Sequence, residues 1–224
     1  MSSNTTKEWL RFGLNTIGLA SNIYGFSFVI NALPPAPGFG GIFQFLTMIG
    51  LTMATLSFAL KVLRSLVPGF LTGLHKTVVY VATPLEGLIT LLYWPMIFYS
   101  RDMLAHQETP FMLPLVPDMS LHFWPAVVLW ADFLIFDIEF QRSKQHVAII
   151  YIFSLVYFFW TWYCFSRNGF WPYPFLAQLS HYARAMLFMF CGNVCIGVYE
   201  FGAFVHKKIH GRKFSVTEKS AKKE

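Results

Sequence analysis

A threonine and a histidine in this sequence are of types that could carry out nucleophilic chemistry together. Thr47 follows a segment rich in proline and glycine, and His122 lies at the start of a later apolar stretch. A threonine hydroxyl is a weak nucleophile until a base within hydrogen-bonding reach removes its proton, and histidine is the usual base. Thr52 and Thr55 compete for the same role, and threonines in membrane helices commonly donate their hydroxyls to the carbonyl four residues earlier. A purely structural role for Thr47 and His122 therefore stays open.

Three acidic residues lie inside apolar stretches, where an ionised side chain is costly. They are Glu86, Asp132 and Glu200. One interpretation is that each acid pairs with a tyrosine, tryptophan or asparagine inside the protein, or is protonated. The other is that the acids line a path for a proton or a substrate. Both interpretations stay open on the sequence.

The composition indicates that membrane helices position these residues. Of the 224 residues, 55% are hydrophobic and 12% are charged, whereas soluble domains carry about 25% charged residues. No charged residue occurs between Arg11 and Lys61. Such a stretch favours a bilayer, in which one crossing needs about 20 apolar residues. The sequence therefore excludes an ordinary soluble domain.

Six apolar segments end at charges or at proline and glycine clusters. They span about 9–33, 39–60, 77–99, 121–140, 147–166 and 183–206. Membrane barrels are built from shorter segments of alternating hydrophobicity, so these segments indicate helices. The predicted fold is all-α, a polytopic membrane bundle of six transmembrane helices in a single domain over residues 1–206. Residues 207–224 form a basic cytosolic tail in this prediction.

The distribution of lysine and arginine predicts the orientation of the bundle. With six spans and a cytosolic N-terminus, 14 of the 17 Lys and Arg residues lie on the cytosolic side, which is the side that carries such an excess. Both termini are then cytosolic. Thr47 and His122 lie near the opposite membrane face, and Thr47 is about 12 Å along the second helix if that helix begins at Phe39.

Several other classes of protein are not indicated. The net charge of +6 does not predict a nucleic-acid partner, because the cations form short clusters between apolar segments and no continuous basic face. The three cysteines form no disulfide or zinc framework and are expected to be free thiols. The sequence has no Gly-x-Ser-x-Gly elbow and no histidine-rich boxes. Nothing in it demands a metal or an organic cofactor.

Three stretches of the chain carry a resemblance to a known family. They are Phe45-Leu46-Thr47-Met48-Ile49, Asp118-Met119-Ser120-Leu121-His122 and Trp171-Pro172-Tyr173-Pro174-Phe175-Leu176. Together they resemble the androgen-induced-gene family, which includes the androgen-dependent regulator of tissue factor pathway inhibitor. The resemblance covers most of the chain in the order and spacing of its spans. It is greater to the fungal-type members, which have no assigned activity, than to the vertebrate ones.

The resemblance implies an activity. Family members with an assigned activity are multi-pass threonine hydrolases that cleave fatty acid esters of hydroxy fatty acids. Thr47 stands at the position of the nucleophilic threonine, and His122 is the best match to the catalytic histidine. The vertebrate pattern has additional polar residues around that histidine, and an ungapped alignment places Pro125 there instead. Asp118 and Gln44 are candidates for orienting a catalytic partner.

Three functions follow as hypotheses. The first is a lipid ester hydrolase of the endoplasmic reticulum membrane, with the bilayer and a lipid ester as its partners. The second is a non-enzymatic protein that carries or senses a small lipid through Glu86, Asp132 and Glu200. The third is a scaffold component, for which Gly50 and Ala54 offer a small-xxx-small step for contact inside or between chains.

Overall fold

The computed structural model describes residues 2–100, 103–104 and 113–221 of the chain, and side chains from residue 5 to residue 211 within those ranges. The described chain is all-helical and contains no strand, as the sequence predicts. Its α-helices are α1 (Ser2–Ala32), α2 (Leu46–Leu66), α3 (Thr72–Tyr99), α4 (Leu115–His122), α5 (Trp124–Ile135), α6 (Lys144–Asn168) and α7 (His181–Ala221).

Four of the described helices are long and apolar enough to cross a membrane. They are α2, α3, α6 and the His181–Gly211 part of α7. The α5 helix is apolar but shorter, since its 12 residues rise by only about 18 Å. The α1 helix ends at Ala32, just before Pro34 and Pro35, as predicted, because proline cannot continue a helix. The chain is therefore a membrane protein with several apolar helices, and the count of six spans stays a prediction.

The predicted fourth span, 121–140, differs from the structure. In place of one helix the chain forms α4 and α5, which are separated at Phe123 (φ −134°, ψ −57°), and the helix ends at Ile135. Pro125 accounts for the break, because its ring has no N–H to donate and collides with the carbonyl four residues earlier in a continuous helix. The break places His122 at the last residue of α4.

The start of the second span also differs from the prediction. The α2 helix begins at Leu46 rather than at Phe39. Gly40 and Gly41 adopt positive φ angles of 90° and 50°, which glycine tolerates best, and a 3-10 helix over Gly41–Gln44 follows. Thr47 is therefore the second residue of α2 and does not lie 12 Å along it.

The α2 helix packs between α1 and α3, while α3 also contacts α5 and α7. Gly50 and Ala54, the small-xxx-small step, lie on the buried side of α2. A Cβ atom added to Gly50 would collide with Ile89 and lie 2.9 Å from a carboxyl oxygen of Glu86, both on α3. The step therefore serves contact inside the chain, between α2 and α3.

Candidate functional site

One cavity of about 650 Å³ opens at the end of the bundle where α2 begins. Its walls are mainly apolar and come from the end of α1, the start of α2, the second half of α3, α4, α6, α7 and the segment before α7. Thr47 and His122 both line it, so the structure brings the two predicted residues to one cavity. The other polar side chains on the wall are Tyr93, Asp118, Ser154, Tyr157, Tyr173, Cys191 and Cys195.

Thr47 differs from the other threonines of α2. The hydroxyls of Thr52 and Thr55 donate to the carbonyls four residues earlier, at 2.7 and 2.6 Å, which is the structural role weighed above. Within the described residues the Thr47 hydroxyl makes no hydrogen bond. The carbonyl four residues before it belongs to Phe43, outside α2, and accepts a hydrogen bond from the Trp160 ring N–H at 2.9 Å. The Thr47 hydroxyl is therefore left available to the cavity.

His122 is held by Asp118. The His122 Nδ1 atom lies 2.8 Å from Asp118 Oδ1, one helical turn earlier in α4. The same oxygen accepts the Tyr93 hydroxyl at 2.6 Å, and the Tyr93 ring stacks on the imidazole with centroids 3.4 Å apart and planes 3° apart. Because an ionised carboxylate only accepts hydrogen bonds, Nδ1 carries the proton and Nε2 can act as an acceptor. His122 is 6% exposed, and its Nε2 has no hydrogen-bond partner among the described residues.

Asp118 and Gln44, the two candidates for orienting a catalytic partner, lie in different surroundings. Asp118 orients His122, as described, and both line the cavity. Gln44 is fully buried, and its amide donates to the carbonyls of Pro37 and Gly41 at 3.0 Å each. Gln44 therefore fixes the segment before α2. Thr47 and His122 are not hydrogen-bonded to each other, and such bonds in ligand-free sites often shorten when substrate binds.

The segment 171–176 completes the site at the start of α2. The Tyr173 hydroxyl accepts the Leu46 N–H at 2.9 Å, and the Tyr173 ring packs edge-on against Phe45. The Arg184 guanidinium lies 4.5 Å from the centre of the Trp171 ring and donates to nearby backbone carbonyls. All three stretches that carry the family resemblance therefore meet around one cavity. Tyr93 and Tyr157 also belong to the site, and no spacing pattern in the sequence distinguishes them from other aromatic residues.

The three acids of the apolar stretches lie in different surroundings, and none of them lines this cavity. Asp132 is fully buried and is bound by Arg11 at 2.9 and 3.1 Å, Lys61 at 2.8 Å and Asn15 at 2.7 Å. An asparagine was among the partners that the sequence analysis expected and is present, whereas the two cationic partners were not predicted. Glu200 forms an ion pair with Arg142 at 2.6–2.9 Å.

Glu86 is the acid without a partner. It is fully buried, and neither of its carboxyl oxygens has a hydrogen-bond partner in the part of the chain that the structure describes. It faces Gly50 of α2, beside the cavity wall formed by Leu85 and Ile89. Within residues 2–100, 103–104 and 113–221 no group of three or more His, Cys, Asp or Glu side chains could hold a metal ion.

The fold and this cavity define a helical membrane protein whose apolar interior presents a threonine hydroxyl and a carboxylate-bound histidine. The chain belongs to the FAR-17a/AIG1-like family, whose model matches residues 14–207. A UPF0641 membrane protein of Schizosaccharomyces pombe is 30% identical over 200 residues, which cover 87% of this chain and 89% of the relative. A UPF0641 membrane protein of Saccharomyces cerevisiae is 25% identical over 212 residues, covering 84% and 87%. No solved structure matches the chain. The predicted family, with its fungal-type members, is confirmed.

Proposed function

We propose that this protein hydrolyses lipid esters within the membrane, with fatty acid esters of hydroxy fatty acids as its substrates. The observation that carries the proposal is the contrast within α2. Thr52 and Thr55 donate their hydroxyls to the backbone. Within the part of the chain that the structure describes, the Thr47 hydroxyl makes no hydrogen bond and lies on the same cavity as a histidine oriented by a carboxylate. The mainly apolar walls suit the acyl chains of such an ester, as pockets for apolar ligands do.

In the proposed reaction His122 Nε2 accepts the proton of the Thr47 hydroxyl, and the Thr47 oxygen bonds to the ester carbonyl carbon. The carbonyl electron pair moves to its oxygen. When that pair returns, the bond to the hydroxy fatty acid breaks, and the leaving alkoxide takes the proton from His122. Water then attacks the acyl-threonine with His122 again as base, which releases the fatty acid and restores the Thr47 hydroxyl.

The proposed setting is the endoplasmic reticulum membrane. Six spans with both termini in the cytosol place 14 of 17 cationic residues on that side. In this arrangement α4 and α5 together supply one crossing, because Leu115–His122 and Trp124–Ile135 have the combined length of a span. The cavity then lies towards the non-cytosolic face, and the ester enters from the bilayer.

The test is labelling of the purified protein in detergent with a fluorophosphonate probe, together with hydrolysis of a lipid ester. We expect Thr47→Ala and His122→Ala to lose both labelling and hydrolysis. The matched control is Thr52→Ala, which removes a hydroxyl bonded to the backbone and should retain both. Wild-type levels of labelling and hydrolysis in Thr47→Ala and His122→Ala would refute the proposal.

The carrier hypothesis receives no support from two of its three acids. Asp132 and Glu200 are bound in ion pairs and do not line the cavity. Lipid binding by a carrier would be sensitive to Glu86→Gln and Asp132→Asn while tolerating Thr47→Ala and His122→Ala.

A further inference from the structure

The first turn of α2 leaves one backbone N–H without a partner. A helix begins with N–H groups that have no acceptor in the preceding turn. Here the N–H groups of Phe45 and Met48 bond to neighbouring carbonyls at 3.3 and 3.2 Å, and that of Leu46 donates to the Tyr173 hydroxyl. Within the described residues the N–H of Thr47 has no acceptor. The unpaired donor therefore belongs to the proposed nucleophile.

The backbone carbonyls three and four residues before Thr47 bond to side chains of α6, and Phe45 between them and α2 is extended (φ −93°, ψ 133°). The carbonyl four residues before Thr47, of Phe43, accepts the Trp160 ring N–H at 2.9 Å. The carbonyl three residues before it, of Gln44, accepts the Tyr157 hydroxyl at 3.1 Å. Backbone N–H groups point towards the start of a helix, where they attract negative charge. The fold therefore keeps a free donor at a position that favours an anion.

Tyr173 supplies a second donor close by. Its oxygen accepts the Leu46 N–H at 2.9 Å, one residue from Thr47, and its ring lines the cavity. The Tyr157 hydroxyl donates to the Gln44 carbonyl, and the Tyr173 hydroxyl keeps a proton of its own. A charged oxyanion is a strong acceptor for such a proton. Burial raises the pKa of Tyr173 above its usual value, which keeps the phenol protonated as a donor.

We infer that the backbone N–H of Thr47 and the hydroxyl of Tyr173 form the oxyanion site of the hydrolysis, an inference that rests on the proposed function. As the Thr47 oxygen bonds to the carbonyl carbon, the former carbonyl oxygen gains the electron pair and accepts both hydrogen bonds, and no proton is transferred to it. When the carbonyl re-forms, the ester bond breaks as described above. Use of the nucleophile's own N–H follows the arrangement in serine hydrolases. The unpartnered Nε2 of the buried His122 on the same cavity supplies the base.

The experiment compares Tyr173→Phe with Tyr151→Phe in the purified full chain. Tyr151 lies outside the cavity and donates to Asn193 at 2.8 Å, so its variant loses a hydrogen bond of similar length. We expect Tyr173→Phe to lower kcat by about 10²- to 10³-fold, the usual cost of one lost oxyanion donor, with KM changed by less than about threefold. Tyr151→Phe should retain wild-type kcat.

A second measurement separates an oxyanion donor from a merely structural role of Tyr173. An acyl trifluoromethyl ketone forms a tetrahedral oxyanion adduct, and it should bind Tyr173→Phe more weakly than the wild type by the same factor as the fall in kcat/KM. The product fatty acid should bind Tyr173→Phe and the wild type equally well. Equal weakening of both ligands, or a kcat within about threefold of wild type, overturns the inference alone. Absence of Thr47-dependent hydrolysis in the wild type overturns the proposed function and the inference together.

Discussion

The polar groups at the two ends of α2 have opposite surroundings. Near its C-terminal end, Lys61 and Arg11 neutralise the fully buried Asp132, and Asn15 adds a further hydrogen bond. At its N-terminal end, the Thr47 hydroxyl and N–H have no hydrogen-bond partner among the described residues. Thr47 is half-buried on the cavity, so these two groups are open to a ligand.

The comparison separates a structural cluster from a functional one. The charges around Asp132 join α5 to α1 and α2, which both lie far from it in sequence. They are costly to bury and costlier to leave unpaired. The groups around Thr47 are held by neighbours such as Tyr173 and Trp160, yet they keep free donors and acceptors facing a cavity. Pairing stabilises the cluster around Asp132, whereas incomplete pairing leaves the groups around Thr47 available for chemistry.

The largest expected effect is at the unpaired end. Thr47→Ala should lower hydrolysis by at least about 10⁴-fold, since the nucleophile is lost, with an unchanged melting temperature in detergent because no hydrogen bond is removed. Thr47→Ser keeps the hydroxyl and should retain measurable activity. A large fall in the melting temperature of Thr47→Ala would show that the residue has a structural role and would weaken the comparison.

At the paired end, Asp132→Ala should cost stability rather than chemistry. It leaves the buried Lys61 and the half-buried Arg11 without their counter-ion, which costs about 3–5 kcal/mol, and thermal unfolding in detergent measures the loss. The control Glu200→Gln breaks an ion pair whose partner, Arg142, is exposed, so its melting temperature should not change measurably. Equal melting temperatures for Asp132→Ala and wild type would remove the structural half of the comparison.

A third prediction concerns the residue that positions His122. Asp118→Asn should lower kcat by about 10²-fold or more with little change in KM, because the amide no longer holds the Nδ1 proton and the imidazole loses its required tautomer. The rate is measured across pH, and the variant's melting temperature verifies its fold. Wild-type kcat in Asp118→Asn would mean that the 2.8 Å contact between Asp118 Oδ1 and His122 Nδ1 has only a structural role.

The smallest expected effect is on stability, at Gly50 between the two ends of α2. Gly50→Ala adds a methyl group against Ile89 and Glu86 of α3, and such overpacking costs about 1–3 kcal/mol. Gly197→Ala is the matched control, because a Cβ added there meets no atom within 4 Å, and it should be neutral or slightly stabilising. Equal melting temperatures for both variants would show that α2 and α3 can separate at this step.

The residues at the site show how far sequence reasoning reached. The pairing of Thr47 with His122 on one cavity was predictable from loop charges and the family resemblance, and the catalytic roles themselves stay a prediction. The sequence favoured Thr47 over Thr52 only through the family resemblance. The contact of Trp160 of α6 with the Phe43 carbonyl, 117 residues away in the chain, needed the structure. The partners of Asp132 are similarly distant, since Arg11 lies 121 residues before it.

By itself the sequence determined that this is an all-helical membrane protein of a recognisable family. Apolar length, proline positions such as Pro34 and helix-forming composition act locally along the chain, and the need to satisfy every backbone group in lipid then leaves helices. Tertiary structure alone decided where α2 begins, how α4 and α5 divide at Phe123, and which polar groups are paired. Those outcomes depend on contacts between helices that are far apart in sequence, and hydrophobic periodicity carries no information about them.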